Sequence, residues 1–312
     1  MWMFVPIALI IGLVSSTFAF SSPPPNSITV GNGGKYSTLR EALKDKSSDV
    51  YFVFKGNYIG QTVITRPNIK IYGQSYHSLE YSSNTVNFTN TLPAKFGHDA
   101  ESATIRVLAP GVSFYNLIIE NKYGNAASHL PAVALSVEAG KFGCYACQIK
   151  GYQDTLLADR GPQYYGKCLI EGGVDFIFGQ FASVFINKST IKSIGHQSAI
   201  VASGRSSDDS NYYVINASSV EAIDETYLGR PWQDYARVIY QYCYLDAHIP
   251  PAGWKVWTKN DTNIEHVLFG EHDNHGPGAW RDGRVKFATK LSYGTSINTV
   301  LGSTDWVDSL FM

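Results

Sequence analysis

The chain has 312 residues, a formal net charge of −1 and 16% charged side chains. That length buries a large core in one or two domains, and a near-neutral charge with no basic stripe interleaved with aromatics leaves no footprint for nucleic acid. The 13% aromatic content, with 20 Tyr and 6 Trp, suits stacking on sugar rings and filling a β core equally well.

No charged side chain precedes Lys35, and Phe4 to Val14 is apolar apart from Pro6 and Gly12. With a cleavage site at Thr17-Phe18-Ala19, residues 1–19 are expected to be a secretory signal peptide. An uncleaved signal anchor is the competing reading, because Met1 to Phe20 is nearly long enough to span a bilayer. The mature chain is therefore expected outside the cell, with no membrane attachment once the leader is removed. Pro23-Pro24-Pro25 marks a short Pro-rich segment over 20–29, and no linker divides the remainder, so one domain is expected over 30–312. Helical periodicity is almost absent. The best candidate is Ser37 to Leu43, where Ser37 or Thr38 can cap a short helix. Four N-x-S/T sequons, at Asn87, Asn187, Asn216 and Asn260, are glycosylation candidates.

A triplet of small or polar residue, any residue, then branched aliphatic recurs along the chain. Its members are Asn116-Leu-Ile118, Cys147-Gln-Ile149, Cys168-Leu-Ile170, Ser189-Thr-Ile191, Ser218-Ser-Val220 and Cys243-Tyr-Leu245. The intervals are 31, 21, 21, 29 and 25 residues, one strand-like run per interval. Such spacing fits an all-β fold, a right-handed parallel β-helix with loops of variable length, that is, a single-stranded solenoid. A β-sandwich would instead place strands every ~8–12 residues without register between distant motifs. The four cysteines, Cys144, Cys147, Cys168 and Cys243, lack metal-ligand spacing and read as buried small residues or one structural disulfide. Cys147 and Cys168 can stack on adjacent coils.

Asp154, in Gly151-Tyr-Gln-Asp154-Thr-Leu156, lies seven residues after Cys147. Asp175, in Gly172-Gly-Val-Asp175-Phe-Ile-Phe-Gly179, lies seven after Cys168. On adjacent coils their backbones would stand ~4.8 Å apart. Two carboxylates that close resist ionising together, which drives one pKa up and the other down. One residue type thereby furnishes an acid and a nucleophile.

These two segments, followed by Leu228-Gly-Arg-Pro-Trp232, resemble the signature segments of pectin methylesterases, in that order. Val30-Gly-Asn-Gly-Gly-Lys-Tyr36, Ala132-Val-Ala-Leu135 and Pro251-Ala-Gly-Trp-Lys-Val-Trp257 extend the resemblance from about Val30 to the C-terminus. It is to the plant-like form without an N-terminal helical pro-domain. The resemblance implies hydrolysis of the methyl ester on galacturonate in cell-wall pectin, releasing methanol and pectate, by a monomer that needs no cofactor or metal. It implies Asp175 as nucleophile, Asp154 as general acid and then base, and Gln153 as an oxyanion donor. Arg230 would hold Asp175 ionised and aimed, Trp232 and Trp257 would wall the sugar cleft, and Phe178 would join them in binding substrate. A proteinaceous pectinesterase inhibitor is implied as a further partner.

The chain departs from the family pattern at four places. Pro131 stands where a second oxyanion Gln is usual and has no N–H to donate, and His129 is near but not equivalent. Losing one oxyanion donor typically costs roughly a hundred- to thousandfold in rate. Leu157 replaces a cleft Tyr, Gly60 replaces a Glu in Gly56-Asn-Tyr58-Ile-Gly60, and Ser203 replaces a Gln. A catalytically weak or silent pectin-binding β-helix is therefore the alternative. A lyase or polygalacturonase would need other acidic sets, which the sequence does not contain.

Overall fold

Parallel strands cannot be joined by tight hairpins, so short strands in parallel order must turn through corners. The computed structural model of the chain describes residues 20–95, 97–125, 127 and 130–312. The expected leader over 1–19, and His129, lie outside these residues. Among the described residues, strands form three sheets of eleven, seven and eight members, visited in turn by each coil. Every ladder between these strands is parallel, as in Leu156–Ala158 with Ile177–Gly179 and Leu169–Gly172 with Thr190–Ser193. The architecture is a right-handed parallel β-helix, which excludes the β-sandwich. Its interior is a stack of aliphatic side chains, one per coil. In the eight-stranded sheet these are Ile119, Ile149, Ile170, Ile191, Val220 and Leu245, all fully buried.

The recurring triplet marks a corner. Asn116, Ala146, Lys167, Lys188, Ala217, Tyr242 and Asp273 all adopt left-handed conformations with φ between 46° and 56°. Each turns its coil from the eleven-stranded to the eight-stranded sheet, or would continue that turn at the last coil. The N–H that follows the corner is met by a small side chain of the next coil. Leu117 N–H donates to Cys147 Sγ at 3.4 Å and Cys147 N–H to Cys168 Sγ at 3.4 Å. Cys168 N–H donates to Ser189 Oγ and Ser189 N–H to Ser218 Oγ, both at 3.0 Å. On the last coil the larger Asn274 does the same for Cys243 N–H, and an apolar residue without an acceptor would leave a buried donor unpaired. The four cysteines are accordingly buried free thiols, with no disulfide among them.

One member of the repeat is out of step. Gln148 pairs with Ile118 and Ile149 with Ile119, so the equivalent of Cys147-Gln-Ile149 is Leu117-Ile-Ile119 and the interval is 30 residues, not 31. Asn116 occupies the corner itself, and its amide donates to Ser78 O and Asn84 Oδ1. Thr38 caps the helix Leu39–Ala42 by accepting from Glu41 N–H, as one of the two expected caps. A second short helix, Ile297–Leu301, carries no periodic signal. With Phe311 it covers outward-facing Tyr115, Tyr145, Tyr164 and Phe185 of the eleven-stranded sheet.

The structure also sorts the sequons. Asn187 is buried, donating to Tyr164 Oη and accepting from Asn216 Nδ2, and Asn216 Oδ1 in turn accepts from Gln241. The Asn187 amide is thus engaged inside a side-chain ladder. Asn87 is half-buried against Asn57, whereas Asn260 is exposed in a turn.

The corner ladder predicts that Ser189→Ala lowers unfolding free energy by about 1–3 kcal/mol, the cost of an unpaired buried donor. Ser189→Cys, which restores an acceptor, should lose less. Urea unfolding followed by circular dichroism measures both, and equal losses would discount the ladder.

Candidate active site

Two further left-handed corners, Asp154 (φ 58°) and Asp175 (φ 47°), turn adjacent coils from the eight-stranded to the seven-stranded sheet. Aspartate tolerates this conformation better than most residues. The glycine three residues before each corner is required by close approach. A Cβ on Gly172 would lie 2.2 Å from Phe176 Cβ, and one on Gly151 would lie 2.8 Å from Thr155 Oγ1. Gln153 bridges Val174, and Leu156 pairs with Ile177, so the two aspartates occupy the same position on neighbouring coils. Asp154 N–H donates to Val174 O at 3.0 Å, and Asp175 N–H donates to Ala199 O at 2.8 Å. The expected juxtaposition of the acids is therefore a property of the backbone.

Their surroundings differ sharply. Asp175 is 5% exposed and clamped by Arg230, whose Nε lies 2.9 and 3.2 Å from the two carboxyl oxygens. A second guanidinium nitrogen lies 2.5 Å from Oδ2. Such two-pronged pairing fixes direction as well as charge. Arg230 is itself held, its guanidinium 4.1 Å from the Trp257 ring centroid and donating to Trp257 O at 3.3 Å. Asp154 has no cationic clamp among the described residues. It keeps a solvent-facing edge, but protein atoms crowd its carboxyl, and this burial raises its pKa well above the usual carboxylate range. The charge of Asp175 adds to the rise, then that of Asp99, while Arg230 opposes it.

The outer face of the seven-stranded sheet forms a groove floor. Arg106, Ser136, Leu157, Phe178, Ala202 and Arg230 follow one another across six paired strands. A hollow of about 270 Å³ opens over part of this row, between Asp99, Leu157, Phe178 and Trp232. Phe178 and Trp232 stand with ring centroids 6.5 Å apart. Arg106 grips Glu138 with bonds of 2.6 and 2.9 Å at one end of the row. A larger hollow of about 730 Å³ lies at the N-terminal end, lined by Arg40, Tyr58 and Gly60, away from the carboxyls. Chemistry, not volume, distinguishes the two. Among the described residues, no group of three His, Cys, Asp or Glu stands close enough to share a metal ion.

Phe178, Trp232 and Trp257 pack in one cluster, Arg230 joins Trp257 to Asp175, and Gln153 precedes Asp154 at its corner. Trp254, from the same segment as Trp257, instead belongs to the core and donates to Glu271. Pro131 accepts from Ala94 N–H at 2.7 Å through its carbonyl and offers no donor. Ser203 is fully buried, and its carbonyl accepts from Trp232 N–H at 3.0 Å. Sequence reasoning misses Asp99, whose pKa is raised by burial with His98 opposing. It sits in a short 3-10 turn, Asp99–Ser102, with no periodic signal.

A clamped carboxylate beside a desolvated one, on the outer face of a parallel solenoid, defines a β-helical hydrolase. The pectinesterase family model matches residues 27–300. The chain is 39% identical over 302 residues to a probable pectinesterase A of Aspergillus niger, covering 92% of this chain and 90% of that one. Its structure is similar to that of a deglycosylated pectin methylesterase from Aspergillus niger, with a TM-score of 0.87, 38% identity and 94% of this chain against 100% of that one. A pectin methylesterase from carrot gives a TM-score of 0.81 at 27% identity, covering 92% and 96%. The chain belongs to the pectinesterase family of carboxylic ester hydrolases.

The raised pKa of Asp154 has a consequence for stability. Below pH ~3.9 the carboxyl is protonated whether the chain is folded or not. As pH rises, the unfolded chain loses the proton first, so folding is progressively disfavoured until the folded pKa is passed. Asp154→Asn should therefore raise the thermal midpoint at pH 7 and leave it nearly unchanged at pH 3. The scale is roughly 2–4 °C for each kcal/mol relieved. A shift equal at both pH values would contradict the electrostatic account.

Proposed function

We propose that this chain removes methyl esters from galacturonate in cell-wall pectin, releasing methanol and leaving pectate. The carrying observation is the contrast within the pair, Asp175 clamped by Arg230 and Asp154 desolvated beside it. In this reading an Asp175 oxygen attacks the ester carbonyl, and the carbonyl electrons move to an oxyanion that accepts from the Gln153 amide. Collapse of the oxyanion breaks the bond to methoxide, which takes the proton of Asp154 and leaves as methanol. Asp154, now a carboxylate, removes a proton from water as it attacks the acyl-enzyme. Asp175 departs as a carboxylate, and Asp154 is again protonated. Arg230 holds the nucleophile's orientation throughout, while Phe178, Trp232 and Trp257 bound the sugar.

The proposal places this activity outside the cell, with residues 1–19 as a cleaved leader, the mature chain acting as a monomer and a proteinaceous inhibitor able to cover the groove. A weak or silent pectin-binding protein is the second reading, favoured by one observation. The position of the second oxyanion donor is Pro131, whose only polar backbone group is already bonded to Ala94.

Methanol release from highly methylated pectin tests both. The purified mature protein should release it, and Asp175→Asn should abolish it. A folded wild type that binds pectin yet yields no methanol above blank would establish the silent form. Pro131→Gln should raise kcat by about tenfold or more, part of the roughly hundred- to thousandfold that one such donor is worth. No gain from Pro131→Gln in an active enzyme would place the second donor elsewhere.

A further inference from the structure

Pro131 has no donor to offer, but a neighbouring turn brings another polar group towards the same corner. Val133 stands one coil before Asp154, because Leu135 pairs with Leu156 and Ala132 and Ala134 donate to Gln153 O and Thr155 O. The turn Asp99–Ser102 is tied to Val133. Ser102 Oγ donates to Asp99 O at 2.7 Å and accepts from Val133 N–H at 3.0 Å. Asn121 Nδ2 donates to Ser102 O at 3.1 Å and to Val133 O at 3.0 Å. Ala100 packs against the cluster of Val133, Leu157 and Phe178. Asp99 is thereby fixed in the wall of the hollow of about 270 Å³ over the groove floor.

Its carboxyl is idle. Among the described residues it makes no hydrogen bond and no ion pair, although it is half-buried. The other charged groups of the hollow are His98, Glu101, Arg106, Glu138 and Asp159. His98 stands 3.3 Å from Glu101, and Arg106 is committed to Glu138 at 2.6 Å. Arg160 lies 3.4 Å from Asp159. Burial raises the pKa of Asp99 with His98 opposing, and the charge of Asp99 in turn raises that of Asp154. The two carboxyls are therefore within electrostatic reach of each other. A carboxyl kept neutral is an O–H donor, and such a donor can serve a developing oxyanion.

We propose that Asp99, as the carboxylic acid, donates to the tetrahedral oxyanion together with Gln153, in place of the donor that Pro131 lacks. The inference rests on the pectinesterase reading. No proton changes hands, since the O–H of Asp99 tightens its hydrogen bond as negative charge develops and relaxes on collapse. An ionised Asp99 would set like charge against the oxyanion, so the donor exists only below its own pKa. Asp154 is raised further and keeps its proton to higher pH, so Asp99 sets the alkaline limit of activity.

Methanol release from highly methylated pectin, followed between about pH 4 and 9, tests the assignment. At about pH 5, Asp99→Ala should lower kcat roughly a hundredfold and change KM little. Asp99→Asn, whose amide N–H replaces the acid O–H, should recover kcat to within about tenfold of the wild type and move the alkaline limb to higher pH. Pro131→Gln should restore kcat to Asp99→Ala, and its gain in the wild type should be largest above the pH at which Asp99 ionises. If Asp99 acts only by raising the pKa of Asp154, Asp99→Ala and Asp99→Asn should share one kcat at low pH. That equality, or full activity of Asp99→Ala, would overturn the donor role and leave the esterase reading intact. Should Asp99→Ala not fold, Asp99→Asn alone decides, since an unmoved alkaline limb would overturn the donor role as well. A wild type that releases no methanol at any pH would overturn both.

Discussion

Backbone hydrogen bonding between stacked coils is the constraint on which everything else rests. It sets the distance between equivalent residues of neighbouring coils, and the corner into the eight-stranded sheet is turned in the same left-handed way from Asn116 to Asp273. The Cys and Ser ladder lies at that corner. At the next corner the same geometry holds Asp154 and Asp175 side by side without any side-chain bond between them. The carboxyl pair is thus a by-product of how the solenoid closes, with two corner residues chosen for their acidity.

Given that spacing, asymmetry has to come from outside the pair. Arg230 supplies it, reaching Asp175 from the far side along the groove floor, itself fixed against the Trp257 face. A buried ion pair is weak support for stability in general, because desolvation consumes much of the attraction. Its use here is directional. It orients one carboxyl, whose charge adds to the burial that raises the pKa of its neighbour.

The sequence displays the repeating part of this design and conceals the rest. The triplets and the equal offsets of Asp154 and Asp175 are periodic, so stacking is legible without any coordinates. The register fails only where Asn116 occupies the corner that elsewhere precedes the triplet. Side chains that enter the groove from irregular segments carry no period. Asp99 comes from a short turn. Asn187 lies in a sequon, but its amide also faces a ladder that only the stacked coils create. A peptide pattern cannot report what lies one coil away.

The coils are also of unequal length. Successive corner triplets beginning at Cys147, Cys168 and Ser189 are 21 residues apart, while the coils on either side take 30 and 29. The acids therefore ride on two lean coils, and the coil that follows carries extra residues over 204–212. The groove thus has its floor on short coils, with longer ones in sequence on either side. Its floor keeps a fixed gauge set by the backbone, and its walls can lengthen, shorten or change charge without moving either carboxyl. Such a division separates the chemistry from the choice of polymer, leaving evolution free to retailor one while the other stays in place.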